Sequence, residues 1–449
     1  MGERRSLTEG SVFHNIVRFS LPFLLSYFLQ TLYGMADLFI IGQYNGADVI
    51  SAVSVGSQVM HMLTVMLVGL AMGTTVMIGR HVGAREEEKI SRTIGNTIFL
   101  FLIIALALMG LLQLLIRPIL TVLSTPAEAV DQARIYLVIC FLGIPFITAY
   151  NVISAIFRGL GDSRSPMYFV AAACLINIVL DYVFIGAMDL HAAGAALGTV
   201  VSQAMSVLFA LIAIRRRQLG IHVRKQDLRP DRAVIRSLLS IGAPICAQDG
   251  LIQISFLVIT AIANRRGVDV AAAVGIVEKI ISFLFLVPSA MLSTVSAIAA
   301  QNIGAGQQER AERTLRYGAL IAFTVGVIFG IIFQFAARPV ISLFTAGKDP
   351  QVIELGSQYI RTYVWDCALA GIHFTFSGFF SACGRSMISF IHNIIAIVTL
   401  RIPLAWLASV YFPATLWQMG IAPPAGSLLS ALICIGVYLH LKKKGTLVR

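Results

Sequence analysis

Two aspartates interrupt sequence that is otherwise apolar. Asp37 lies in Leu32-Tyr33-Gly34-Met35-Ala36-Asp37-Leu38-Phe39-Ile40-Ile41, and Asp181 in Leu175-Ile176-Asn177-Ile178-Val179-Leu180-Asp181-Tyr182. Asn177 precedes Asp181 by four residues, which sets both on one helix face, able to hold one proton or cation between them. Thr199, in a later apolar run, is a possible third oxygen. A charge at the centre of a bilayer costs about 2.5–3.5 kcal/mol on insertion, so such a group normally faces a cavity and has a job. Burial disfavours the charged form and mutual repulsion adds to it. Two carboxylates at similar depth would therefore titrate as one coupled unit. That chemistry suits a site that loads from one side of a membrane and unloads to the other. The competing reading of each aspartate is a helix-end carboxylate that reaches water.

The elements that must position these residues are membrane helices. Of 449 residues 57% are hydrophobic and only 12% charged, about half the charge of a soluble domain. Mean hydropathy is +0.84. One span needs roughly 20 apolar residues, and about twelve such runs are present, from 15–41 at the start to 420–441 at the end. The expected fold is an all-α polytopic membrane protein of twelve transmembrane helices. The net charge of +12 does not point to nucleic acid. Counting Arg18, Arg236 and Arg316 with the segments they adjoin, 25 of the 34 Lys and Arg fall in the two termini and the even-numbered gaps between spans. Cytoplasmic loops collect Lys and Arg, so both termini are expected inside. Arg265-Arg266, in an expected outer loop, runs against this rule. The N-terminus lacks the pattern of a cleaved signal peptide. Six cysteines are scattered singly through apolar sequence, with no metal or redox spacing.

The chain also repeats itself at a shift of 221 residues. Gly83-Ala84-Arg85-Glu86-Glu87-Glu88-Lys89-Ile90-Ser91-Arg92-Thr93 returns as Gly304-Ala305-Gly306-Gln307-Gln308-Glu309-Arg310-Ala311-Glu312-Arg313-Thr314, and Pro22 near the start of one half is answered by Pro244 in the other. The basic stretch from Arg215 to Arg236 separates the copies. The expected organisation is a first lobe over 1–214, a cytoplasmic linker over 215–235 and a second lobe over 236–449. Six spans per lobe is an even number, so both enter the membrane in the same direction, and a pseudo-two-fold along the membrane normal should relate them. The paired Gly-Ala segments read as surface elbows or as gating elements.

The order Pro22, Gln30, Tyr33, Asp37, then Asn177-xxx-Asp181, Thr199 and the paired Gly-Ala elbows, resembles the multidrug and toxic compound extrusion (MATE) transporters, in their prokaryotic branch. The resemblance covers essentially the whole chain and is specific in combination. It implies that Asp37, Asn177, Asp181 and Thr199 form the site for a coupling proton or sodium ion, and that Pro22 is the hinge of the first helix. It makes Gln30, Tyr33, Tyr136 and Asn151 candidates for the substrate cavity. Some branches also carry cation-binding carboxylates in the seventh and tenth helices. Here Gln253 stands nearest the first of these positions, and Asp366 lies about one turn from the second. Glu278 with Lys279 is either a local ion pair or the solvated start of the eighth span. The resemblance implies an exporter rather than an enzyme, acting as a monomer in a prokaryotic inner membrane on amphipathic, often cationic organic compounds. It implies lipid neighbours, no nucleic-acid partner, and no cofactor or metal beyond the coupling ion. Two other readings stay open. A lipid-linked precursor flippase shares two-lobe architecture, but tends to have extra spans and a strongly basic cavity. An intramembrane aspartyl protease could use the Gly159-Leu160-Gly161-Asp162 match with Asp181, yet Asp162 sits between Arg158 and Arg164 in an expected cytoplasmic loop.

Overall fold

The computed structural model describes residues 7–123, 125–217, 224–345 and 349–448, and among these there is no strand. In chain order the helices are α1 (Val12–Tyr44), α2 (Ala47–Gly83), α3 (Glu87–Val122), α4 (Val130–Leu142), α5 (Ile144–Gly159), α6 (Arg164–Asp181), α7 (His191–Arg217) and α8 (Arg232–Asn264). There follow α9 (Val268–Leu284), α10 (Leu286–Gly304), α11 (Gln308–Phe344), α12 (Pro350–Tyr363), α13 (Asp366–Ala382), α14 (Met387–Ala396), α15 (Ile402–Tyr411) and α16 (Trp417–Lys443). Two widened π-helical turns, Tyr182–Ala187 and Ile397–Arg401, continue α6 and join α14 to α15.

Ten helical stretches among the described residues are long and apolar enough to cross a membrane, and α4 with α5, bent by 49°, makes an eleventh. The expected tenth span, 355–380, falls on α12 and α13, which are 14 and 17 residues long. The twelve apolar runs thus correspond to these ten stretches and to two broken pairs, α4 with α5 and α12 with α13. Pro145, just inside α5, presets the chain for a new helix but offers no N–H to continue the old ladder. The break after Tyr363 falls 221 residues beyond the one after Leu142, so this interruption is duplicated with the sequence.

The helices form two compact units. One holds Leu21–Leu239, and the other Leu7–Ser20 with the chain from Ser240 onward. This differs from a division over 215–235, and the repeated elbows give the reason. In the first unit Asn96 accepts the N–H of Asp231 at 2.7 Å, and Arg92 pairs with the Asp231 carboxylate. The described part of the linker, with its short turn at Lys225–Leu228, is thus docked on α3; residues 218–223 lie outside the described residues. In the second unit Arg310 donates to the carbonyls of Glu9 and Gly10 at 2.7 and 2.8 Å, and Asn302 donates to that of Leu7. Val12, Ile16 and Phe19 of α1 then pack with Met291, Ile298 and Ala322. Each elbow therefore clasps the segment that opens the other repeat.

The elbows close in the same way. The N–H of Glu86 reaches the carbonyl of His81, and that of Gln307 reaches Asn302, at 2.9 and 2.8 Å. This bond pattern ends a helix through one left-handed residue. The left-handed residues stand two places after the leading glycine of each copy, Arg85 (φ 58°) and Gly306 (φ 73°). Side-chain hydrogen bonds from His81 and Lys89 hold the Glu86 carboxyl below the usual carboxylate range. Inside the second unit, α10 and α13 are buried over nearly their whole length, with small residues such as Ser293, Ala297, Ala300, Gly371 and Ser377 along them. Small side chains let membrane helices approach closely. Arg266, the residue that offended the charge rule, caps a neighbouring turn, donating to the carbonyls of Phe412, Pro413 and Thr415 at 3.1, 2.7 and 2.9 Å.

Two stability predictions follow from these contacts. Arg85 is exposed and left-handed, so Arg85→Gly should raise stability by about 1 kcal/mol, read as a higher melting temperature in detergent. Arg266→Met should lower it by about 2 kcal/mol through three abandoned carbonyls. Opposite shifts in the same assay would contradict these assignments.

Candidate cation site in the first unit

The four residues expected to meet do meet. Asp37 is 2% exposed, Asn177 1%, Asp181 0% and Thr199 9%. α1 brings Asp37, α6 brings Asn177 and Asp181 one turn apart, and α7 brings Thr199. The Thr199 hydroxyl donates to Oδ2 of Asp37 at 3.4 Å. The Asp181 carboxyl and the Asn177 amide both face the Asp37 carboxyl. Neither reaches hydrogen-bond geometry, and Asp37 Oδ1, both Asp181 oxygens and both polar atoms of Asn177 have no partner. Buried polar groups are normally satisfied, and leaving them bare costs free energy. Such a cluster of inward-facing oxygens suits a proton shared between the carboxyls or a small monovalent cation.

The local sequence explains the convergence. Asp181 is the last residue of α6, where the chain enters the π-helical turn Tyr182–Ala187. Single π turns concentrate at functional sites. Opposite them α7 opens with Ala192-Ala193-Gly194-Ala195-Ala196-Leu197-Gly198, so its backbone lies close. A Cβ on Gly198 would stand 2.2 Å from Oδ1 of Asp181. Gly198 is a site residue that sequence reading missed, although the run of small residues before Thr199 was its signal. Gln203 was missed as well, and its amide donates to the Tyr33 hydroxyl at 3.4 Å.

The cavity candidates divide. Tyr33 is half-buried within electrostatic reach of Asp37, and half-buried Gln30 neighbours Tyr150. Tyr136 is 2% exposed in the apolar core, where its hydroxyl meets that of Ser57 at 3.1 Å. Asn151 is also buried, and its amide turns back to the Ile147 carbonyl at 2.8 Å. Both are thus buried with a hydrogen-bond partner inside the first unit. Pro22 sits within a continuous α1, two residues past the point where the helix joins the first unit.

The other candidates lie in the second unit. Gln253 is half-buried, and Asp366 is fully buried at the start of α13. Glu278 is neither paired with Lys279 nor at a helix start: it lies within α9 and takes the Thr260 hydroxyl at 2.8 Å, while Lys279 is exposed. The protease pairing is also excluded as an internal dyad. Asp162 caps the start of α6 by accepting the N–H groups of Arg164 and Ser165, and Asp181 ends the same helix. Eighteen residues at 1.5 Å each separate the ends of that helix by roughly 27 Å.

Two helical units, each with helices long and apolar enough to cross a membrane and each with a buried carboxylate, define the class of a polytopic membrane carrier. A family model, MatE, matches residues 22–183 and 244–407, and the chain belongs to that family. It is 27% identical to the probable multidrug resistance protein YoeA of Bacillus subtilis, over 98% of this chain and 96% of that protein. It is 26% identical to the multidrug export protein MepA of Staphylococcus haemolyticus, over 95% of this chain and 94% of that one. Among solved structures, a MATE transporter crystallised in complex with MaL6 superposes with a TM-score of 0.91 at 23% identity, covering 99% of this chain and all of that one. The protein is a multi-pass membrane transporter of the multidrug efflux type.

Gly198→Ala tests the site without touching a polar atom. Its added methyl should push Asp181 away from Asp37 and reduce export at least tenfold, with expression and detergent melting near wild type. Export at the wild-type rate would mean that the close approach of α7 to Asp181 has no functional weight.

Proposed function

We propose that the protein is an antiporter that exports amphipathic organic compounds, many of them cationic, in exchange for a proton or sodium ion bound at Asp37, Asn177, Asp181 and Thr199. The observation that carries this reading is the buried Asp37–Asp181 pair with its unpartnered oxygens in one compact unit. Cation entry would favour the state that releases substrate outside, and substrate binding would favour the state that gives up the cation. Coupling of this kind requires that the two ligands prefer different conformations, and the linkage is reciprocal. Alternating access then follows from a change in which side each unit exposes, with Pro22 weakening the α1 backbone ladder where a bend is needed. The charge pattern supports an inner membrane with both termini in the cytoplasm. The names of YoeA and MepA support the drug-export reading of the substrate.

The test is reconstituted transport of a fluorescent organic cation such as ethidium, with pH and sodium gradients imposed separately. Asp37→Asn and Asp181→Asn should each abolish gradient-driven export, a loss of a hundredfold or more, while elution and melting in detergent stay those of the folded protein. Wild-type transport by both variants would remove the site from the coupling mechanism.

A further inference from the structure

The second unit buries its own ionisable cluster, and it contains a cation. Arg401 closes the π-helical turn Ile397–Arg401, one residue before the position that the 221-residue shift assigns to Asp181. Its side chain is 8% exposed and that of Asp366 is 0% exposed, with Nη2 and Oδ2 4.0 Å apart. Nη2 also donates to the Tyr363 hydroxyl at 3.1 Å, and the guanidinium lies 4.9 Å from the ring centroid of Phe256. Glu278 is a second carboxylate within electrostatic reach of the same guanidinium, and Tyr359 lies beside both. Glu278 stands 221 residues after Ser57, and Tyr359 lies 223 after Tyr136, so a carboxylate within electrostatic reach of a tyrosine stands where the first unit has the neutral Ser57–Tyr136 contact. His373 and Asn393 line a small cavity against Arg401 and Ser427. His392 lies behind, its ring against that of His373 and its Nε2 against the Ser377 hydroxyl.

We infer that Arg401 is a tethered counter-cation: its guanidinium fills, among Asp366 and Glu278, the place that a proton or sodium ion takes between the carboxylates of the first unit. The second unit therefore binds no cation from solution, and each cycle moves the coupling cations of the first unit alone. This deepens the antiport reading and rests on it for the first-unit site. The physical ground is that carboxylates in a low-dielectric interior need a positive partner. A covalently attached one cannot dissociate into solution. The same guanidinium would repel an incoming metal cation. With Arg401 removed, Asp366 and Glu278 are left uncompensated and must recruit a cation or a proton.

The test is made on the whole chain in detergent, by equilibrium binding of radioactive sodium and by proton uptake on moving from mildly alkaline to mildly acidic pH. Arg401→Met should gain about one equivalent of sodium or proton per chain over wild type, and adding Asp366→Asn and Glu278→Gln should remove the gain. Arg401→Lys, which keeps the charge, should not gain it. A folded Arg401→Met that gains nothing overturns the proposal. Should that variant not fold, Glu278→Gln alone decides: unchanged binding stoichiometry supports the tethered cation, and loss of one equivalent overturns it. Asp37→Asn serves as the separate control. If wild type and Asp37→Asn bind equally, the first-unit reading fails, whereas the Arg401→Met difference still stands or falls by itself.

Discussion

Charge in hydrocarbon must be neutralised, and this constraint organises both units. In the first, Asp37 and Asp181 are buried with no basic side chain among their described hydrogen-bond and ion-pair partners; the Thr199 hydroxyl alone donates to Asp37. In the antiport proposed above, compensation comes from a mobile species, and a counter-charge that can leave is one that can be coupled to a gradient. In the second, Asp366 and Glu278 share the interior with Arg401. The same physical demand is met there by a side chain. One duplicated scaffold thus carries two different arrangements of buried charge.

The backbone devices around these sites follow from what must come close. α7 begins with glycines and alanines because the Asp181 carboxylate lies against its backbone, and Gly198 leaves the 2.2 Å that no Cβ could share. A π turn follows Asp181 and another ends at Arg401, so each unit widens its helix ladder beside its buried charge. The bends after Leu142 and Tyr363 recur at the repeat distance. They break two spans into pieces too short to cross a bilayer alone, which is why hydropathy and helix count diverge there.

Much of the site was legible in the chain itself. An acid in an apolar run is conspicuous, and the four-residue spacing of Asn177 and Asp181 already placed them on one face. Arg401 obeys the same rule, within Thr399-Leu400-Arg401-Ile402-Pro403, but its partners Asp366 and Tyr363 are more than thirty residues away in sequence. Tyr136 and Asn151 show what sequence leaves open. A polar residue in a span can point to a cavity or close a local hydrogen bond, and Ser57 and the Ile147 carbonyl supply that bond here.

The sequence by itself determined the helical membrane class, the duplication and the asymmetry of its charges, because hydropathy, periodicity and residue identity are local properties. Tertiary structure alone decided which partner each charge meets. Arg266 looked like a topology error until the carbonyls at Phe412, Pro413 and Thr415 came within reach of it. The elbows looked like equivalent surface turns, yet one holds the linker before α8 and the other the segment before α1. Such pairings join residues more than a hundred positions apart, and no local pattern encodes them. They exist only once packing fixes which helix ends lie side by side.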